Sequence, residues 1–205
     1  MGRRFFNPDT GIWRFFGKAG DIVVLSLLWA LCSVPVLTAG VASTALYDSA
    51  AHCIRRGEGS MFSRFFGTFR RELKTAGLTT LLWGAIAAVP VFLYRRLSLS
   101  QPDGQVVSIF SMLMLLLLYC ILGILSWVFP LLSRFRFSFL GLQQTALRMA
   151  PGNILRTAVM AVLLGCGILL FFRNVLSVFF TPGLIAWLST FLIEPVFEKY
   201  EEGED

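Results

Sequence analysis

One stretch near the start of the chain, residues 21–53, constrains the fold most because it has the pattern of a broken membrane helix. Its first arm, residues 22–34, is almost wholly apolar. Pro35 then removes a backbone donor, and Thr38 can cap a second helix that begins near Ala39. The second arm carries polar side chains that lipid cannot satisfy, so we expect other parts of the protein to shield it.

The polar residues of the second arm follow helical spacing. Thr44, Asp48 and His52 recur every four residues and would line one face of a helix, with Tyr47 close by. An Asp and His pair could position a general base, but no serine, cysteine or metal constellation completes a recognisable catalytic site. We treat these four residues as a candidate polar face. The candidate helix break consists of Pro35, Thr38 and Gly40.

The whole chain is too apolar for an ordinary soluble domain, with 56% hydrophobic residues, 15% charged residues and a mean hydropathy of +0.73. Each crossing of the hydrocarbon needs about 20 mostly apolar residues, so the length suits one compact bundle. We predict an all-α, polytopic helical membrane protein forming a single integral membrane domain, residues 1–205. Four transmembrane spans are expected after the broken pair, at residues 73–94, 106–132, 154–172 and 175–193.

Amphipathic or charged segments complete the predicted organisation. Residues 1–20 interleave aromatic and basic side chains and suit the bilayer surface, whereas residues 194–205 form an acidic tail. Residues 55–72 and 133–153 each contain a short amphipathic helix, which either lies on lipid or docks on a partner protein. The candidate docking residues in these two segments are Phe65, Phe66, Phe69, Arg70, Arg71, Arg134, Phe135 and Arg148.

The distribution of charge favours a broken pair that returns to the side from which it started. In that arrangement all lysines and arginines lie on one side except Arg95, Arg96 and Arg173, in agreement with the positive-inside rule. If residues 21–53 crossed the membrane once, the asymmetry would be weak. We therefore predict a helical hairpin or re-entrant pair at residues 22–53, four spans and two cytoplasmic termini, with the single crossing as the open alternative.

The remaining composition excludes some classes of partner and cofactor. A net charge of +6 does not indicate nucleic acid here, because the basic residues flank apolar segments and form no stripe on a soluble face. Anionic headgroups of the lipid bilayer are the expected partner of these charges. The four cysteines form no C-x-x-C pair and the chain has one histidine, so we predict no metal site, no cofactor and no disulfide.

Residues spread along the chain carry a resemblance to a known family. They are Trp29, Pro35, Thr38, Gly40, Ala45, Leu46 and Tyr47, followed by Phe65, Phe69, Pro130, Arg134, Phe135 and Asn153. In these residues the chain resembles the bacterial YesL family of small integral membrane proteins, a domain-of-unknown-function family. The resemblance implies a bacterial cell membrane, mainly of Gram-positive bacteria, and genes often encoded near those for carbohydrate uptake and degradation. It implies no catalytic residue.

Three classes of function fit these features. We favour a non-catalytic accessory or regulatory subunit of an ABC-type carbohydrate importer, because the chain has amphipathic cytoplasmic segments and no nucleotide-binding motif of its own. An autonomous small-solute transporter or channel is the alternative, although the later spans carry almost no ionisable groups. A membrane enzyme ranks last. The permease subunits of such an importer are the expected partners, and a homo-oligomer stays open.

Overall fold

The computed structural model describes residues 11–99 and 104–201, which are almost entirely helical. The α-helices of this part of the chain are α1 (Gly11–Cys32), α2 (Ala39–Ser49), α3 (Met61–Leu99), α4 (Gly104–Arg134), α5 (Phe139–Gly152), α6 (Ile154–Arg173) and α7 (Thr181–Glu201). Short 3₁₀ helices at Val36–Thr38 and Val175–Phe179 and a π-helical segment, Ala50–Arg56, connect some of them. The described residues include no strand, which confirms the predicted all-α class.

The predicted break after the first arm is present, although one of its residues acts differently from the prediction. Helix α1 ends at Cys32 and α2 begins at Ala39, with Pro35 in the turn between them. Thr38 does not cap α2 with its side chain. Its hydroxyl instead lies 2.6 Å from the carbonyl oxygen of Cys32 and 2.8 Å from that of Pro35. Thr38 therefore satisfies the Cys32 carbonyl group, which the end of α1 leaves without a helical partner.

The two arms fold back on each other as the predicted hairpin. Near the turn, the indole N–H of Trp29 donates to the Ser43 hydroxyl at 3.0 Å. At the far end, α1 packs against the π-helical segment, and Leu25 and Ile54 belong to one buried apolar cluster. The start of the first arm thus lies beside the end of the second, which argues against a single crossing by residues 21–53.

Helix α2 lies at the centre of the bundle and packs on α1, α3, α4 and α7. Its polar residues from Thr44 to Ser49 are buried, so protein shields the second arm as expected. Gly40 permits this packing, since a Cβ atom there would overlap the Thr80 hydroxyl of α3 and lie 2.7 Å from the Phe129 ring of α4. The candidate break residue Gly40 is therefore a packing residue.

The predicted surface segment 55–72 and the predicted span 73–94 form one continuous element. Helix α3 runs without interruption from Met61 to Leu99. The residues at the expected boundary, 71–75, contain no proline or glycine, and most of them favour the helix. The amphipathic part of α3 covers the hairpin, and the apolar part extends beyond it with many exposed aliphatic side chains.

Three helical stretches of the described residues are long and apolar enough to cross a membrane, namely Met61–Leu97, Ser108–Arg134 and Ile154–Arg173. The fourth predicted span, residues 175–193, is divided between a 3₁₀ helix and α7. Pro182 of this predicted span lies in the first turn of α7, where its missing N–H costs little.

The predicted terminal segments lie only partly within the described residues. Residues 1–10 of the surface segment 1–20 fall outside them, as do residues 202–205 of the acidic tail. The described part of the tail corrects the prediction, because α7 continues to Glu201. Glu194 and Phe197 are fully buried in that helix and belong to the interior of the bundle.

Candidate functional site

Asp48 is the first of two buried carboxylates that organise the polar interior, and it is only 1% exposed. Arg64 of α3 donates to it twice, from Nε to Oδ2 at 2.9 Å and from Nη2 to Oδ1 at 3.2 Å. The Thr68 hydroxyl, one turn further along α3, donates to Oδ2 at 2.5 Å. Because a buried carboxylate is costly without such partners, these bonds tie α2 firmly to α3.

His52 lies one helical turn beyond Asp48 and contacts the same residue. Its Nδ1 atom is 3.1 Å from Asp48 Oδ1 and 3.0 Å from the Asp48 backbone oxygen. Two acceptors around Nδ1 assign a ring proton to that nitrogen. His52 is held in the π-helical segment, a form of helix that is frequent at functional sites.

Glu194 of α7 is the second buried carboxylate and has no exposed surface. Arg56 Nη2 donates to Glu194 Oε2 at 2.8 Å, and Arg134 Nη2 lies 3.4 Å from the same oxygen. The Tyr47 hydroxyl donates to Oε1 at 3.4 Å. These contacts join α2, the π-helical segment, α4 and α7 at one point.

Glu194 is not among the predicted site residues, because the sequence pattern places it in the acidic tail. The available signal was a single acidic residue within the apolar run 191–197. A carboxylate in such a run requires a cationic partner, and Arg56 supplies one across 138 positions of sequence. Nearby, Arg55 Nη1 donates to the Thr190 carbonyl oxygen at 2.7 Å, which adds a second contact between the π-helical segment and α7.

The candidate polar face is brought together by the structure, but its residues are engaged inside the chain. The buried Thr44 hydroxyl donates to the Gly40 carbonyl oxygen at 3.0 Å. Tyr47 and Asp48 contribute to the two carboxylate clusters described above. Of these residues, His52 reaches a surface cleft.

This cleft has a volume of about 300 Å³ and opens beside both carboxylate clusters. It is lined by His52, Arg64, Arg71, Ser133, Arg134, Phe135 and Arg136. Four of these side chains are arginines, and the described residues contribute no carboxylate to the lining. We call it the arginine cleft.

Three arginines of the cleft pair with a carboxylate outside the lining. Arg64 pairs with Asp48, and Arg134 with Glu194. Arg71 Nε donates to Glu72 Oε1 at 2.7 Å. The arrangement places acidic groups in the interior and basic groups at the opening.

The candidate docking residues fall into two groups. Phe65 is fully buried, Phe69 and Phe135 pack against the apolar core, and Arg134 pairs with Glu194. The docking assignment is therefore corrected for the buried Phe65. Phe69, Arg134 and Phe135 are only partly buried, and the last two also line the arginine cleft, so their docking role stays a prediction. The other members remain at the surface: Phe66, Arg70 and Arg148 are exposed, and Arg71 lines the arginine cleft.

The residue types that bind metals do not assemble in the described ranges. No group of three or more His, Cys, Asp or Glu side chains is positioned there to hold an ion. The four cysteines are free thiols, and Cys120 and Cys166 are exposed among the apolar side chains of α4 and α6.

The fold and the site together define a class: an all-helical polytopic membrane protein whose polar interior is built on two buried carboxylates and their arginines. Residues 22–94, which include the hairpin and most of α3, match the family described as "Protein of unknown function, DUF624". The match contains the Asp48 cluster and ends before α4, so it does not extend to Arg134 or Glu194. Comparison with curated proteins and with solved structures gives no match.

Proposed function

We propose that this chain is a non-catalytic integral membrane protein of a bacterial cell, acting as an accessory or regulatory subunit of an ABC-type carbohydrate importer. The sugar context and the bacterial setting rest on the resemblance to the YesL family. The observation that favours an accessory role over transport is that the Asp48 carboxylate already has partners within the chain. Arg64, Thr68 and His52 already occupy this carboxylate, whereas an ion-coupled pathway needs an ionisable group that its ligand can reach.

An accessory subunit needs a surface for its partner, and the first turns of α3 offer one. Phe62 and Phe66 are 56% and 40% exposed, and the exposed Arg70 follows four residues later. Residues at this spacing share one face of a helix. Aromatic and arginine side chains are enriched in protein interfaces. We call this row the α3 stripe and assign it to contact with a permease subunit of the importer.

The α3 stripe is tested by replacing Phe66→Ala and Arg70→Ala together. We expect loss of the permease subunit from the protein purified in mild detergent and slower sugar uptake at unchanged abundance. The matched control is Phe92→Ala with Arg96→Ala, which removes an exposed pair of the same residue types near the other end of α3, where the guanidinium lies 5.3 Å from the ring centroid. Retention of both the permease and normal uptake by the stripe variant would contradict the assignment.

A small-solute transporter or channel is the second candidate, and the arginine cleft is the observation that favours it. The cleft opens beside the π-helical segment and reaches His52. In this case the purified chain alone, reconstituted in liposomes, would move solute without a partner. The accessory role instead predicts flux only when the permease is present, so the same liposomes separate the two functions.

A further inference from the structure

The arginines in and beside the arginine cleft outnumber the carboxylates that pair with them. Five arginines meet in and beside it, and three carboxylates oppose them. The arginines are Arg56, Arg64, Arg71, Arg134 and Arg136, and the carboxylates are Asp48, Glu72 and Glu194. The local excess is therefore two positive charges.

This excess lies at the open side of the cleft. The carboxylates are buried, whereas the side chains of Arg64 and Arg71 are 42% and 43% exposed. Arg136 is exposed as well. A ligand that enters the cleft meets guanidinium groups before it meets any carboxylate.

The ion pairs also leave N–H groups outside the contacts that fix the arginines. Asp48 engages Nε and Nη2 of Arg64, so Nη1 lies outside that pair. Glu72 engages Nε of Arg71, and both Nη atoms lie outside that pair. A guanidinium held at one edge can offer its remaining donors to two oxygens of a phosphate group, the geometry that favours arginine at phosphate sites.

We propose that the arginine cleft binds a phosphate monoester. A monoester carries nearly two negative charges at neutral pH, which matches the local excess of two positive charges. Phe135 is the single apolar residue among the described residues of the lining, so the phosphate group would make most of the contacts. A volume of about 300 Å³ is at the small end of ligand sites and suits a phosphate with a short organic group.

Two sources present this chemistry, a lipid of the phosphatidic acid type and a soluble organic phosphate, and the experiment has one arm for each. The full chain is placed in nanodiscs of phosphatidylcholine. One arm titrates glycerol 3-phosphate by calorimetry, with inorganic phosphate as competitor. The other arm adds phosphatidic acid to the nanodisc lipid and measures by native mass spectrometry how much of it the protein retains.

Arg136→Gln is the informative variant, because this exposed side chain takes part in none of the ion pairs of the described residues. We expect binding about tenfold weaker, the effect of losing one charge-assisted hydrogen bond. Arg71→Gln in the same chain should weaken binding about tenfold again. The matched control, Arg95→Gln with Arg96→Gln, removes two exposed charges near the other end of α3 and should leave binding unchanged.

Each outcome decides for or against the site. Saturable binding in either arm that falls in Arg136→Gln and not in the control supports the proposal, and the arm that responds identifies the source. Absence of saturable binding in both arms overturns it. Equal binding by the wild type and the Arg71→Gln/Arg136→Gln variant overturns it too, provided that the unfolding temperature without ligand shows the variant is folded.

Discussion

Asp48 and Arg64 form one ion pair but differ in exposure, and this difference predicts unequal effects of mutation. Arg64→Gln leaves a buried carboxylate without its strongest partner, which costs about 3 to 5 kcal/mol in comparable buried pairs. Asp48→Asn leaves a guanidinium that is 42% exposed and can turn toward water, so we expect a loss of about 1 to 2 kcal/mol. The measurement is the thermal unfolding of each variant in the same detergent.

The double variant sharpens this test. In Asp48→Asn with Arg64→Gln no buried charge is left without a partner, so the protein should be more stable than Arg64→Gln alone. Thr68 and His52 can still hydrogen-bond to the asparagine side chain. If the double variant were as unstable as the sum of the single ones, Asp48 and Arg64 would not be coupled as the contacts indicate.

At the level of single residues, the sequence predicted that Asp48 would be buried but not which residues would surround it. Burial followed from local chemistry, because lipid cannot satisfy a carboxylate on a helix that adjoins an apolar arm. The pairing of Arg56 with Glu194 joins positions 138 residues apart, and no local pattern specifies such a pair. The hydrogen-bond partners of Thr38 could not be predicted either, although they lie close in the sequence, because the direction of its hydroxyl depends on the turn geometry.

Among the structural elements, α2 packs closely on its neighbours through a glycine. In Gly40→Ala the added methyl group would overlap Thr80 and lie against Phe129. We expect a loss of stability of about 1 to 3 kcal/mol, typical of overpacking, measured by thermal unfolding. Gly84→Ala is the matched control in α3, because no atom lies within 4 Å of the position of its added Cβ. Unchanged stability of Gly40→Ala would show that α2 can move away from α3 and α4.

The control position also shows the limit of small-residue patterns. Gly84 and Ala88 form a small-xxx-small pair of the kind that permits close helix contact, yet both residues are exposed. Small residues permit close approach, but the sequence does not specify which helix approaches. Gly40 was assigned to the break because it follows Pro35, and its role in packing became visible only with α3 and α4 in place.

Helix α3 illustrates why boundaries are harder to predict than elements. The hydrophobic pattern changes near residue 73, from amphipathic to apolar, and suggests two separate segments. The backbone stays helical through this region. The pattern differs because the first part of α3 packs against the hairpin, whereas the later part exposes apolar side chains that suit lipid. The segment assigned to the membrane surface is consequently covered by α2 on one face, which places Phe65 inside and leaves Phe66 outside.

At the scale of the whole molecule, contacts between helices determine which ends of the bundle lie together. Helix α6 packs on α4 near its own start, where Trp127 donates to the Thr157 hydroxyl at 2.8 Å and Tyr119 donates to the Ala158 carbonyl oxygen at 2.9 Å. Helix α7 then brings Glu194 to Arg134, at the end of α4. The hairpin returns to the same region, where Arg56 pairs with Glu194.

These contacts agree with the topology that the positive-inside rule predicts. The basic residues that the charge pattern assigns to the cytoplasm include Arg56, Arg64 and Arg134, and the structure gathers them around two carboxylates at one end of the bundle. Both termini should therefore lie on the cytoplasmic side, even though α7 is not among the helices long and apolar enough to cross a membrane. The end of α3 and the start of α4 should lie on the opposite side.

Cysteine labelling in intact cells tests this topology. In a chain with its four native cysteines replaced, Leu99→Cys lies at the end of α3 on a residue that is 77% exposed, and we expect a membrane-impermeant maleimide to label it. A cysteine tag at either terminus should react only after the membrane is permeabilised. Labelling of the C-terminal tag alone in intact cells would mean that α7 does not return to the cytoplasmic side. Labelling of the N-terminal tag would contradict the hairpin, because the start of α1 could not then lie on the same side as Arg56.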